Sequence, residues 1–496
     1  MRIQQFLEHH GVALNPFAEE DAQTDPVFKD HCIASTYHPA WDKVYGNPTE
    51  PCTAVVFGEK GSGKTAMRLQ IVRHLREFNR SHPGRRAFVI QYDDFNPFLD
   101  RFRDTLSQRK RRPDRLFAQW KLWDHMDAIL SLGVTKLIDM LLKTRRRYSD
   151  QDEAEHVQPK DLDRNQSRDL LILAACYDRS LDEPFLQRWG RLQRALGFRV
   201  LKARWQSAAG ILATLLVAAT FGRFQGYSAV LSWWPYALIL AGWLPWLWKL
   251  LHRWWLARGV ARQVRVVKRD VWPLTRALLH FTRDELTGQP LPNKDRTDDR
   301  YELLVKFQDI LRTLGYEGVF VLVDRVDEPY LVNGSAEMMK SLVWPLLDNK
   351  LLKHPGLGFK LLLPIELVYY VERESRDFHQ RARLDKQNMI PSLAWTGEAL
   401  FDVAQARLAA CAMPGCRPSL RSLFDEDLSD RRLLEAFRQL RTPRHLFKFI
   451  YRLLVAHCNA YTDEAPVWRI TSHMFESVLA VYLRDQEAQD RGAALA

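Results

Sequence analysis

The 496-residue sequence reads as an α/β protein: a parallel sheet, split by a helical insertion and a two-helix transmembrane hairpin, and followed by a C-terminal helical lid domain. Two motifs and the segment between them lead there. A glycine-rich loop, Gly58-Glu59-Lys60-Gly61-Ser62-Gly63-Lys64-Thr65, joins a short β-branched run to a helical period that begins at Thr65 and Ala66. A second apolar run, Val319-Phe320-Val321-Leu322-Val323, ends in Asp324. Between them lie two apolar stretches, residues 205–222 and 230–251, the second uncharged as far as Lys249.

Residues 1–50 form an irregular lead-in, punctuated by Asn15-Pro16-Phe17 and Asp25-Pro26. Residues 51–100 hold the first half of the sheet. Thr53-Ala54-Val55-Val56-Phe57 is short, apolar and β-branched, as a strand buried on both faces should be. Ala87-Phe88-Val89-Ile90-Gln91-Tyr92 reads as a second strand. The loop between fits G-x-x-x-x-G-K-[ST] at every fixed position. Gly58, Gly61 and Gly63 admit backbone conformations that a Cβ would block. The N–H groups of residues 58–66 then point inward at a helix N-terminus, which suits phosphate oxygens. In such a loop Lys64 reaches the β- and γ-phosphates and the Thr65 hydroxyl holds Mg²⁺.

Residues 101–204 read as a charged helical insertion, with 151–166 a polar, mobile loop. Residues 205–256 form the hairpin. At about 1.5 Å per residue its two stretches span about 27 and 33 Å as helices, against a hydrocarbon core of about 30 Å. Trp205, Trp233, Trp234, Tyr236, Trp246, Trp248, Trp254 and Trp255 cluster toward the ends, as interface aromatics do. Arg199, Lys202 and Arg204 precede the first stretch; Lys249, Arg253, Arg258, Arg262 and Arg265 follow the second. The positive-inside rule therefore expects a multi-pass hairpin with both flanks in the cytoplasm and the connector outside. Residues 1–11 lack the apolar core of a cleavable signal, so the hairpin is expected to insert by itself.

Residues 257–300 are a basic return, a single amphipathic helix over 257–287 and then a polar linker. Residues 301–390 hold the second half of the sheet. A helix over 301–315 feeds the strand ending at Asp324, the expected Mg²⁺-holding acid. Arg325, Asp327 and Glu328 crowd the same carboxyl end, where ligands bind in open α/β sheets. Asp327 and Glu328 are candidates to orient an attacking water. Phe359-Lys360-Leu361-Leu362-Leu363-Pro364 is a further strand, with Glu366 just past it. Residues 391–496 are helical. Thr442-Pro443-Arg444 opens a helix with Pro at a favoured first-turn position, and Arg444 is placed to reach back to a nucleotide.

The chain carries 72 Lys and Arg against 60 Asp and Glu, a net charge of +12. Arg109-Lys110-Arg111-Arg112 and Lys143-Thr144-Arg145-Arg146-Arg147 hold much of the excess. Such faces meet membrane lipid headgroups or nucleic acid, or are simply solvated. No nucleic-acid motif accompanies them. Of six cysteines only Cys411 and Cys416 are close, without a second pair or a His at zinc-ligand spacing.

Loop, apolar hairpin, then apolar strand with acids: in that order the chain resembles the KAP family of P-loop NTPases, where membrane helices interrupt the nucleotide fold. The family's second motif reads D-D-L-D-R. The matching residues are Asp324-Arg325-Val326-Asp327-Glu328, identical at the first and fourth positions and reversed in charge at the second and fifth. Arg444 resembles the lid arginine of AAA+ and STAND-type ATPases. The resemblance implies an ATP- and Mg²⁺-dependent hydrolase at the inner membrane. It would act as a conformational switch in phage defence or signalling, with protein partners or as a homo-oligomer. Two other readings stay open. One is a membrane-tethered, AAA+-like ATPase that handles nucleic acid, motivated by the basic runs and Arg444. The other is a nucleotide-gated scaffold that hardly hydrolyses, motivated by Arg325 where many related ATPases place Glu.

Overall fold

The computed structural model of the protein describes residues 1–33, 36–142, 158–179, 183–198, 205–224, 234–382, 384 and 388–495. The basic run at 143–147, the flank at 199–204, the connector at 225–233 and residues 151–157 of the expected loop lie outside them, and a helix already opens at Arg164.

Five parallel strands form one sheet: β1 (Ala54–Gly58), β2 (Arg86–Tyr92), β3 (Tyr316–Val323), β4 (Leu357–Pro364) and β5 (Asn388–Ile390). Their order is β2-β3-β4-β1-β5. Both sheet faces are covered, so the strands read as continuous apolar runs. Val56, Phe320 and Leu362 pack on one face against Met67, Ile71 and Leu75 of helix Lys64–Ser81. Val55, Val321 and Leu361 face the other way, toward helices Leu122–Leu142, Arg164–Tyr177 and Asp298–Thr313. Because every pairing is parallel, Gly58, Val323 and Pro364 all end at one sheet edge. β4 therefore stands between the strand of the glycine loop and the strand of Asp324.

The run Arg109-Lys110-Arg111-Arg112 stands exposed, but Asp124, Asp127, Asp178 and Arg188 of the insertion are buried and paired. Arg300 meets Asp127 (3.1 Å), Arg265 meets Asp124 (2.6 Å), and Arg188 meets Asp178 (2.8 Å) and Asp139 (2.7 Å). Buried ions are tolerated when paired this way, and removing one partner strands the other.

Helices Trp205–Phe224 and Trp234–Gln263 form the hairpin. They meet closely: a Cβ on Gly210 would lie 2.7 Å from the Trp243 ring, and Trp243 Nε1 donates to Thr214 Oγ1 (3.0 Å). Yet among the described residues no helix is long and apolar enough to cross a membrane, which corrects the transmembrane expectation. The second helix carries Pro245 inside it and Lys249, His252 and Arg253 beyond, and its later turns bury Ala257 and Val260 in the protein core. The hairpin's sides remain apolar and exposed at Leu212, Leu216, Leu244, Trp248 and Trp255.

The basic return is not one helix over 257–287. The hairpin helix runs on to Gln263, and Val271–Leu279 and Arg283–Leu286 follow as separate helices. Thr282 and Glu285 form a capping box that starts a new helix and breaks the period.

Residues near the N-terminus pack with the C-terminal helices. Phe6, Leu7, Val12 and Phe17 share a core with Leu408, Phe437, Leu446 and Phe475. The amino terminus itself donates to the Tyr461 carbonyl (2.7 Å).

Candidate functional site

The glycine loop leaves β1 and enters helix Lys64–Ser81 through two left-handed glycines, Gly61 (φ 89°) and Gly63 (φ 96°). Gly61 is also crowded: a Cβ there would lie 2.6 Å from Cβ of Arg444. Lys64 Nζ donates to the carbonyls of Gly58 (2.7 Å) and Glu59 (3.0 Å), so its ammonium lies folded against the loop. Burial pushes Lys64 below its ordinary value; Asp324, Asp327 and Glu366 oppose that, and Arg444 adds to it. Those five charges therefore share one field.

Thr65 Oγ1 donates to Asp324 Oδ2 (3.0 Å), joining the two sequence motifs across the sheet edge. Asp324 is 1% exposed, and burial raises its carboxyl above the ordinary value despite Arg68 nearby. The Arg325 N–H donates to Asp324 Oδ1 (2.9 Å). A hydroxyl and a carboxylate at this separation are a fitting pair of oxygen ligands for Mg²⁺. Among the described residues, no cluster of three or more His, Cys, Asp or Glu side chains is placed to hold a metal ion.

The two base candidates diverge. Glu328 is tied to Arg325 (Nε to Oε1, 2.7 Å), with half its side chain in solvent. Arg325 itself sits at φ 61° and reaches Gln23 Oε1 (2.9 Å). Asp327 lines the cleft and acts on Lys64. Glu366 opens the helix after β4, where the Ile365 N–H donates to the Gly58 carbonyl (3.1 Å).

The C-terminal helices close the cleft. Thr442 caps helix Pro443–Ala460 by accepting from the His445 N–H (3.3 Å), and the Arg444 N–H approaches the Gly61 carbonyl (3.4 Å). Arg444 Nε has no partner among the described residues. Trp395 Nε1 donates to the Ser62 carbonyl (2.8 Å). Glu20 and Asp21, from the N-terminal segment, complete the rim with Lys60 and Phe447.

Thus Lys60, Gly61, Ser62, Gly63, Lys64, Thr65, Ala66, Asp324, Asp327, Glu328 and Arg444 all line one cleft. Gly58 and Glu59 lie behind it, holding Lys64. Sequence reasoning missed Arg68. This 2%-exposed arginine donates to Asp324 Oδ2 (3.2 Å) and Gln91 Oε1 (2.9 Å) and pairs with Asp93 (2.7 Å). Its signal was a charge inside the stripe Met67, Ile71, Val72, Leu75. Trp395 and the acidic N-terminal rim carried no such local signal.

No protein-family model matches the chain, and no curated protein or solved structure matches it.

Proposed function

We propose that the chain is a P-loop ATPase of KAP-like type, binding ATP and Mg²⁺ in this cleft and switching conformation as it hydrolyses the nucleotide. One observation carries the reading: the Thr65 hydroxyl lies 3.0 Å from the Asp324 carboxylate, beside Lys64, although 259 residues separate the pair in sequence. A strand order with β4 between the two motifs supports the same reading.

In this scheme the loop N–H groups of Gly61 to Thr65 bind the phosphates. Lys64 leaves its carbonyl partners for the β- and γ-phosphate oxygens, and its charge meets the charge that develops there. Thr65 and Asp324 hold Mg²⁺, which when bound neutralises phosphate charge. Asp327 orients the attacking water and accepts its proton. Arg444, with Nε unengaged, turns to the γ-phosphate and ties the C-terminal helices to the nucleotide's state. The exposed apolar sides of the hairpin attach the protein to the cytoplasmic face of a membrane without crossing it.

The test is ATP turnover by the full-length chain beside Lys64→Ala and Asp324→Asn. Both variants should lose turnover on the order of 100-fold or more. Turnover unchanged in Lys64→Ala would sink the proposal. A second reading, a nucleotide-gated scaffold, is favoured by Arg325, which stands directly after Asp324 in place of a carboxylate and ties up Glu328 in an ion pair. ATP binding that needs Lys64, without turnover, would select it.

A further inference from the structure

A second cavity lies at the root of the hairpin, far in sequence from the nucleotide cleft. It encloses about 360 Å³ between helix Trp234–Gln263, helix Arg283–Leu286 and residues 289–299. Its lining includes Arg253, His252, Arg283, Lys294 and Arg296, with Asp299 the one carboxylate among the described lining residues. Four permanent cations therefore face one acid.

The innermost cation is Arg253, 3% exposed. One terminal nitrogen donates to the Thr282 carbonyl (3.0 Å), while the buried Nε has no partner among the described residues. Arg283, Lys294 and Arg296 stand exposed at the rim, and none makes an ion pair among the described residues. Burial, then Arg283, pushes the Arg253 guanidinium below its ordinary value. A buried guanidinium with an idle N–H is costly unless an anion completes it, and its planar fork matches phosphate oxygens. The same helix bears the exposed stripe Leu244, Trp248, Leu251 and Trp255 at three- and four-residue spacing. Arg253 lies at the level where that stripe ends, on the opposite helix face.

We propose that this cavity binds a phosphate group, presented by an anionic phospholipid headgroup or by a soluble phosphate compound. Arg253 takes the phosphate oxygens at the cavity floor, and Arg283 and Arg296 close over them from the rim. The inference rests on the cavity and not on the ATPase reading.

The experiment has two arms, both on the full-length chain. The first measures flotation with vesicles of phosphatidylcholine alone and of phosphatidylcholine mixed with phosphatidylglycerol. The second titrates inorganic phosphate calorimetrically in the Lys64→Ala background, which separates this site from the glycine loop. Arg283→Gln/Arg296→Gln alters only exposed side chains and serves as the site variant, because Arg253→Gln risks the fold. Arg431→Gln, on an exposed helix elsewhere, controls for simple loss of charge. A preference for phosphatidylglycerol that falls about tenfold in the site variant, but not in the control, establishes the lipid source. Phosphate binding with the same variant dependence, and no preference among vesicles, establishes the soluble source. Equal behaviour of wild type and site variant in both arms overturns the proposal, as does an equal loss in Arg431→Gln.

Discussion

Lys64 and Asp324 owe their chemistry to burial and to one another. Both Asp327 and Glu328 line the cleft, but Asp327 is in the field of Lys64, whereas Glu328 is half exposed and tied to Arg325. We expect Asp327→Asn to cut ATP turnover on the order of 100-fold and Glu328→Gln less than about 10-fold, as steady-state kinetics would measure. The opposite ranking would return the base to Glu328. Away from the cleft, His125 is wholly buried, with Trp120 Nε1 donating to its Nε2 (2.8 Å) and Tyr92 Oη 3.0 Å from its Nδ1. Burial pushes its pKa down to about 3. In the unfolded chain it takes up a proton near pH 6.5 while the folded protein does not, so its stability contribution is complete above that pH. The contribution is lost as pH falls toward 3, at up to about 1.4 kcal/mol per pH unit. Unfolding free energies from denaturant titrations at pH 7 and pH 5 should therefore converge in His125→Gln by about 2 kcal/mol relative to wild type.

Helix Pro443–Ala460 shows how an element delivers a residue to a site. Arg441 at φ 62° turns the chain, Thr442 caps, Pro443 starts the helix, and Arg444 falls against Gly61. Thr442→Ala should cost about 1 kcal/mol of stability. It should also weaken ATP binding, because the first turn that aims Arg444 loosens. Thermal melting and nucleotide titration would measure the two effects, and unchanged nucleotide affinity would detach the cap from the site. The hairpin teaches the reverse lesson. Its helices were legible from uncharged apolar runs, but the run length did not decide the environment. Val260 and Ala257 are buried by neighbouring helices, while Trp248 and Trp255 on the same helix are not.

At the scale of the whole molecule, the cleft lies between two cores. Helix Lys64–Ser81 and the strand ends form its floor; the N-terminal segment and the C-terminal helices form its roof. Arg407 joins the two parts of that roof, donating to the Pro16 carbonyl (2.7 Å) and pairing with Asp25 (2.5 Å). A ligand bound there touches every part at once. ATP with Mg²⁺ at about 100 times its Kd should add about 2.7 kcal/mol to unfolding stability. Hydrogen exchange should slow both in helix Lys64–Ser81 and in helix Pro443–Ala460. Protection confined to the first would mean that the roof does not engage the nucleotide.

Local chemistry was enough to locate the loop, four of the five strands and the Asp324 terminus, but not the three-residue β5. A strand covered on both faces must be apolar throughout, and a loop that wraps phosphate must have glycine where φ is positive. The same reasoning could not see Arg68, whose role depends on Asp324 and Asp93 from two other strand ends. Nor could it rank Asp327 above Glu328, one residue apart, because both line the cleft and only the folded turn sets one in the field of Lys64 and pairs the other with Arg325. Sequence determined which segments could bury themselves and which could bend. The tertiary structure alone decided which charges came to share a low-dielectric space, since that depends on strands and helices hundreds of residues apart meeting at one edge of the sheet.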